Sequence, residues 1–117
     1  MSFKESVTYS KSYDFAVRIV RMCKYIQKEK KEYVLSKQIL RSGTAIGALL
    51  REAAYAQSRA DFCNKLQIGL KEANESLYWL DLLFDSEVLG ENEYLSVKSD
   101  CEELVRLLVS SVKSSKQ

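Results

Sequence analysis

Apolar residues recur every three or four positions over most of the chain, which is the spacing of an amphipathic α-helix. Four segments show this pattern, at about 12–31, 36–56, 59–87 and 92–112. The chain has no proline and only four glycines, and this favours long helices joined by short connections. We therefore predict an all-α protein that folds as an up-down-up-down antiparallel four-helix bundle.

Polar residues indicate where these helices begin. Ser12 and Asn92 stand where N-caps of the first and fourth helices are expected. Ser58 and Asp61 form a variant of the capping box, with Asp in place of Glu, at the start of the third helix. The absence of repeats and linkers predicts a single domain over residues 1–117, with frayed termini at 1–11 and 113–117.

Two glycines lie four positions apart inside the second predicted helix, at Gly43 and Gly47. Each glycine in a helix interior costs about 1 kcal/mol relative to alanine. We therefore expect a neighbouring helix to approach the second helix closely at this point.

The residue types argue against catalysis. The chain contains no histidine, the commonest general base and metal ligand, so histidine-based nucleophilic sites and the Glu-x-x-His di-iron motif are excluded. Cys23, Cys63 and Cys101 have no paired spacing, and we interpret them as buried apolar thiols rather than a metal or redox site. Glu72 and Glu75 are interpreted as solvent or interface groups. We predict a non-enzymatic protein that needs no cofactor or metal.

The N-terminal residues lack the basic-then-apolar pattern of a signal peptide. No apolar run approaches the roughly 18 residues that span a membrane. We therefore expect a cytoplasmic protein with no membrane contact.

Charge divides the chain into two halves. Residues 1–59 contain 12 Lys and Arg against 5 Asp and Glu, whereas residues 60–117 contain 6 against 11. Several cations of the basic half lie opposite the apolar stripe of the first helix or on the second helix. Such a face can follow nucleic-acid phosphates, although a merely solvated face is the alternative. The candidate nucleic-acid-binding residues are Arg18, Arg21, Lys24, Lys28, Arg41 and Arg51.

The third helix carries a second set of apolar residues outside its core stripe. We predict that they contact another subunit, so that the protein is a homo-oligomer, unless a neighbouring helix or the connecting loop covers them. The opposite charges of the two halves favour a head-to-tail contact. The candidate interface residues are Ile68, Trp79, Leu82 and Leu83.

Four segments of the sequence resemble those of a known family: LRSGTAIGA at 40–48, REA at 51–53, SRADF at 58–62 and LKEANESLYWL at 70–80. They resemble the bacterial four-helix-bundle proteins encoded within intervening sequences of large-subunit ribosomal RNA genes. The accessory proteins of diversity-generating retroelements look like relatives of that group. The similarity spans Phe15 to Phe84, and the chain departs from it at Leu49, where relatives often have Asn.

The resemblance implies a ring of five subunits. It also implies, through the retroelement proteins, nucleic-acid binding and a partner protein such as a reverse transcriptase. We therefore expect a ring-forming bundle, a homopentamer, that binds structured RNA or DNA. The alternative is a protein–protein scaffold or accessory subunit with no nucleic-acid binding.

Overall fold

The computed structural model describes residues 2–117, and their secondary structure is entirely helical, without a strand. The helices are α1 (Val7–Glu29), α2 (Leu35–Ala54), α3 (Arg59–Asp85) and α4 (Glu91–Ser115), preceded by a short 3₁₀ helix (Phe3–Glu5). Successive helices pack against each other in an elongated bundle of 44 × 20 × 20 Å. The predicted up-down-up-down four-helix bundle is confirmed.

Two predicted helix starts are wrong. The N-cap of α1 is Ser6, whose Oγ accepts a hydrogen bond from the Tyr9 N–H at 3.1 Å. Ser12 lies inside α1, is buried, and donates to the Tyr9 carbonyl. The stripe of α1 continues towards the N-terminus through the small buried residues Thr8 and Ser12, so the apolar pattern stops before the helix does.

Of the two other predicted N-caps, that of α4 is wrong and that of α3 is confirmed. Gly90, rather than Asn92, is the N-cap of α4. Ser58 caps α3 as predicted, and its side chain accepts from the Asp61 N–H. The Asp61 carboxylate accepts from the Gln57 N–H, one residue before the cap. The helices also extend into both segments predicted as frayed termini, since α1 begins at Val7 and α4 ends at Ser115.

The predicted close approach at the two glycines is confirmed, and the neighbouring helix is α1. A Cβ atom added at Gly43 would lie 3.0 Å from Ile19 Cγ1. A Cβ atom at Gly47 would lie 3.2 Å from the Ser12 carbonyl oxygen. The two glycines therefore let α1 and α2 pack with little space between their backbones.

The bundle is tight on three sides and looser on the fourth, where α1 faces α4. The backbones of α2 and α3 come close together, and Ser42 and Ser76 meet there in a buried hydrogen bond of 2.9 Å. The backbones of α1 and α4 stand farther apart. Long charged side chains bridge that gap, as in the 2.9 Å ion pair between Lys11 and Glu103.

Candidate nucleic-acid interface

The outer face of α1 carries three exposed cations, Arg21, Lys24 and Lys28. Their spacing of three and four residues places them on one side of the helix. That side lies opposite the buried stripe, which includes Ile19 and Ile26. Within residues 2–117 none of the three cations has a carboxylate at ion-pair distance. Three of the six candidate nucleic-acid-binding residues thus share one exposed face, and their role stays a prediction.

Arg18 does not belong to this outer face. Its guanidinium points across the gap to α4, where it forms an ion pair with Asp100 at 2.8 Å and a longer one with Glu93 at 3.5 Å. It also donates to Ser96 Oγ at 2.8 Å. Binding a phosphate through Arg18 would break contacts that join α1 to α4, so its main role in this structure is to bridge the two helices.

Arg41 is likewise engaged. Its guanidinium forms ion pairs with Glu72, at 3.1 Å, and with Glu75, both on α3. The Glu75 carboxylate also accepts from Trp79 Nε1 at 3.0 Å. The two acids, interpreted from the sequence as solvent or interface groups, therefore form a charged network across the outside of α2 and α3.

Arg51, the sixth candidate, is exposed on α2 and has no ion pair among the described residues. Close to Arg51 lies a hydrogen bond that the sequence did not predict. In it, Lys4 Nζ donates to the Tyr55 hydroxyl at 2.7 Å. That hydrogen bond raises the pKa of Lys4, whereas the nearby charge of Arg51 acts against the rise. Lys4 and Arg51 therefore form a second cationic cluster, near the N-terminal end of α1.

Sequence reasoning also missed a cleft beside the basic face. It has a volume of about 820 Å³ and lies where α1 meets the start of α4 and the connection from α3. Its walls are mostly apolar, with charged groups among them. The lining residues come from two distant stretches of sequence, 14–30 and 88–93, so no local motif could have revealed it.

The predicted contact with another subunit stays a prediction, and three of its four residues remain candidates. Ile68, Trp79 and Leu82 are partly exposed on α3. Leu83 is wrong as an interface residue, because it is fully buried in the core of the bundle. It lies three residues after Leu80, hence only about 60° around the helix from that core residue, and the other helices cover it.

Two of the three cysteines are buried thiols. Cys23 and Cys101 are buried, as predicted, and burial raises the pKa of each thiol to about 12, so the unreactive protonated form prevails. Cys63 is only partly buried. The described residues contain no group of three or more Cys, Asp or Glu side chains that could hold a metal ion.

None of the helices in the described chain is long and apolar enough to cross a membrane. The observed features define a small helical bundle with one cationic side and an adjoining cleft. The chain belongs to the 23S rRNA-intervening sequence protein family, whose model matches residues 4–110. The family resemblance seen in the sequence is therefore confirmed, whereas kinship with retroelement accessory proteins stays a prediction.

A solved structure supports the same assignment. The chain is 56% identical to a protein of unknown function from the S23 ribosomal protein family of Bacteroides thetaiotaomicron, known from a crystal structure. The similarity covers 92% of this chain and 96% of that chain, with a TM-score of 0.90. No curated protein matches this chain.

Proposed function

We propose that this protein binds structured RNA or DNA through the outer face of α1, without catalysing a reaction. The observation that carries the proposal is the set of three exposed cations, Arg21, Lys24 and Lys28, on one side of one helix and without ion pairs among the described residues. Arg51 lies apart from this face, in the cluster with Lys4 near the N-terminal end of α1, and is a further unpaired cation. Arg18 and Arg41 contribute less, because their carboxylate partners already neutralise them.

The dimensions of this face suit a phosphate backbone. From Arg21 to Lys28 the helix rises about 10 Å, which corresponds to about three phosphates along one strand. Unpaired cations release the counterions of a nucleic acid on binding, and this is the main source of affinity for a phosphate backbone. The acidic half of the sequence would repel the same backbone, so the charge division favours one orientation.

A double charge reversal tests this proposal. Lys24→Glu with Lys28→Glu should weaken binding to a structured RNA hairpin and to a DNA duplex. It should also flatten the dependence of log K on log salt by about two units, one for each lost phosphate contact. The measurement is fluorescence anisotropy over a salt series.

The matched control is Lys71→Glu with Arg106→Glu, two exposed cations on α3 and α4. This control changes the net charge equally but leaves the α1 face intact. Binding should stay close to that of the parent. Equal affinities of the parent and the α1 variant across the salt series would show that the basic face does not bind phosphates.

We further propose that copies of the protein assemble into a ring of five through the outward side of α3. Support comes from Trp79 and Leu82, which are only partly covered within one copy. Trp79→Ala should lower the mass measured by light scattering, since truncation of an interface aromatic often costs about 2 kcal/mol or more. Leu95→Ala, at a residue 55% exposed on α4, is the control. A monomeric parent would contradict the ring.

A second candidate function is a scaffold that contacts only proteins. The exposed apolar residues outside the basic face favour it, among them Val34, which is 72% exposed. This alternative expects intact assembly together with no measurable nucleic-acid binding at physiological salt. The hairpin and duplex titrations described above therefore discriminate the two functions.

A further inference from the structure

We propose that the cleft between α1 and α4 receives one unpaired nucleotide of the bound nucleic acid, with the base inside and its phosphate at the rim. The proposal rests on the proposed function and specifies which part of a nucleic acid is recognised.

The interior of the cleft suits a flat ring. Val17 and Met22 of α1 and Val88 and Leu89 of the α3–α4 connection provide apolar surface, and Tyr25 adds an aromatic ring that is 53% exposed. The volume of about 820 Å³ lies within the usual range of small-molecule sites. Bases stack on exposed aromatic side chains of this kind in single-strand binding proteins.

The charges at the rim suit a phosphate. Arg21 and Lys30 line the cleft, are exposed, and have no ion pair in the part of the chain that the structure describes. Arg18, by contrast, is already held by Glu93 and Asp100. Asp14 is an unpaired carboxylate in the same lining. The two unpaired cations outnumber it, so the free charge around the cleft is cationic on balance and suits an anion attached to an apolar ring.

The carboxylates in the lining fit a base better than a purely apolar ligand. Asp14 and Glu93 both line the cleft. A carboxylate repels a phosphate that enters deeply, but it can accept a hydrogen bond from the exocyclic amine of a base. Both carboxylates are exposed, and Glu93 is already paired with Arg18. We therefore place the phosphate near Arg21 and Lys30, away from Asp14, and the base against the apolar wall.

The cleft adjoins the proposed binding face, because Arg21 belongs to both. A backbone that lies along Arg21, Lys24 and Lys28 therefore passes the mouth of the cleft. A base within a duplex has both its faces covered by its neighbours and must leave the stack before it can enter. Bulged or looped nucleotides are already unstacked, and proteins commonly recognise RNA at such positions.

The test compares two RNA hairpins that differ only in one bulged nucleotide. The parent protein should bind the bulged hairpin about tenfold more tightly than the fully paired one. Tyr25→Ala should lower the affinity for the bulged hairpin five- to tenfold, the lower range for loss of one base–aromatic stack, and leave the affinity for the paired hairpin unchanged. Tyr25→Phe, which keeps the ring, should retain the preference.

The control variant is Tyr78→Ala, since Tyr78 is exposed to a similar extent (59%) but lies on α3. It should bind both hairpins as the parent does. Equal affinities of the parent for the two hairpins would overturn the cleft proposal. So would an equal effect of Tyr25→Ala on both hairpins.

Two further outcomes separate this inference from the proposed function. If the parent shows no bulge preference but Lys24→Glu with Lys28→Glu still weakens binding, the basic face stands and the cleft proposal is wrong. If the parent binds the DNA duplex but neither hairpin, only the cleft proposal is wrong. If it binds none of the three, both proposals are wrong. A lower mass of Tyr25→Ala in light scattering would show that a second copy occupies the cleft, which also overturns the proposal.

Discussion

The α2–α3 interface and the α1–α4 interface are held together by different interactions, although each joins two antiparallel helices of one bundle. Between α2 and α3, small residues allow close packing: a Cβ atom at Gly69 would lie 3.1 Å from Leu50 Cδ1. Between α1 and α4, the backbones stand apart and Arg18 reaches across to Asp100.

The difference shows how one fold can provide both stability and a binding surface. Close apolar packing stabilises the bundle but leaves no space for a ligand. An interface held by long charged side chains contributes little stability, because exposed ion pairs are weak. It does, however, leave room for the cleft beside α1. We therefore expect the α2–α3 interface to contribute more to the stability of the bundle than the α1–α4 interface does.

The largest expected effect on stability is at the closely packed α2–α3 interface. Leu50 is fully buried on α2, and Leu50→Ala should lower the free energy of unfolding by about 2–5 kcal/mol, because it removes apolar contacts and leaves a cavity. Urea denaturation measures the change. Leu95→Ala, at an exposed residue of α4, is the control and should alter stability by less than about 0.5 kcal/mol. Similar values for the two variants would contradict close packing at Leu50.

An intermediate effect is expected where α2 begins. The Glu32 carboxylate accepts hydrogen bonds from the backbone N–H groups of Val34, Leu35 and Ser36, at 3.0, 2.9 and 2.8 Å. Burial alone would raise the pKa of Glu32, but these bonds outweigh it and hold the pKa below its usual value of 4.5. Glu32→Gln should therefore lower the free energy of unfolding by about 0.5–2 kcal/mol at neutral pH, as loss of a helix cap does.

The pH dependence of this effect has a definite sign. A carboxylate whose pKa is lowered by folding stabilises the protein above its unfolded pKa, and the stabilisation is lost as the pH falls through the folded pKa. The difference in free energy of unfolding between the parent and Glu32→Gln should thus be largest above the usual pKa of 4.5. It should disappear in stronger acid. Urea denaturation at a series of pH values measures it. A difference that does not change with pH would contradict a role for the charged carboxylate.

The smallest effect on stability is expected at the α1–α4 interface. Arg18→Ala should lower the free energy of unfolding by about 1 kcal/mol or less, because its ion pairs with Glu93 and Asp100 are partly exposed. The difference from the parent should shrink in about 1 M salt, where the Debye length is about 3 Å, whereas that of Leu50→Ala should not. Paired urea titrations at low and high salt measure both. A loss as large as that of Leu50→Ala would show that the two interfaces are equally important.

Residue spacing alone was sufficient for much of the fold and part of the site. The period of the apolar positions predicted the four helices, and Gly43 and Gly47 predicted a close approach of two helices. The same period placed Arg21, Lys24 and Lys28 opposite the buried stripe, and the structure finds them exposed. These properties depend on local geometry, because the rotation per residue determines which side chains share a face.

The remaining features depend on residues that are distant in the sequence. Arg18 and Arg41 look like free cations in a linear reading, but carboxylates on α4 and α3 pair with them. The spacing of Leu83 along α3 places it outside the predicted core stripe, but the packing of the other helices buries it. The cleft lies where the backbones of α1 and α4 stand apart. The sequence by itself thus determined the helices and their exposed charges, whereas only the tertiary structure decided which charges are neutralised and where the bundle opens, since both depend on the distances between helices.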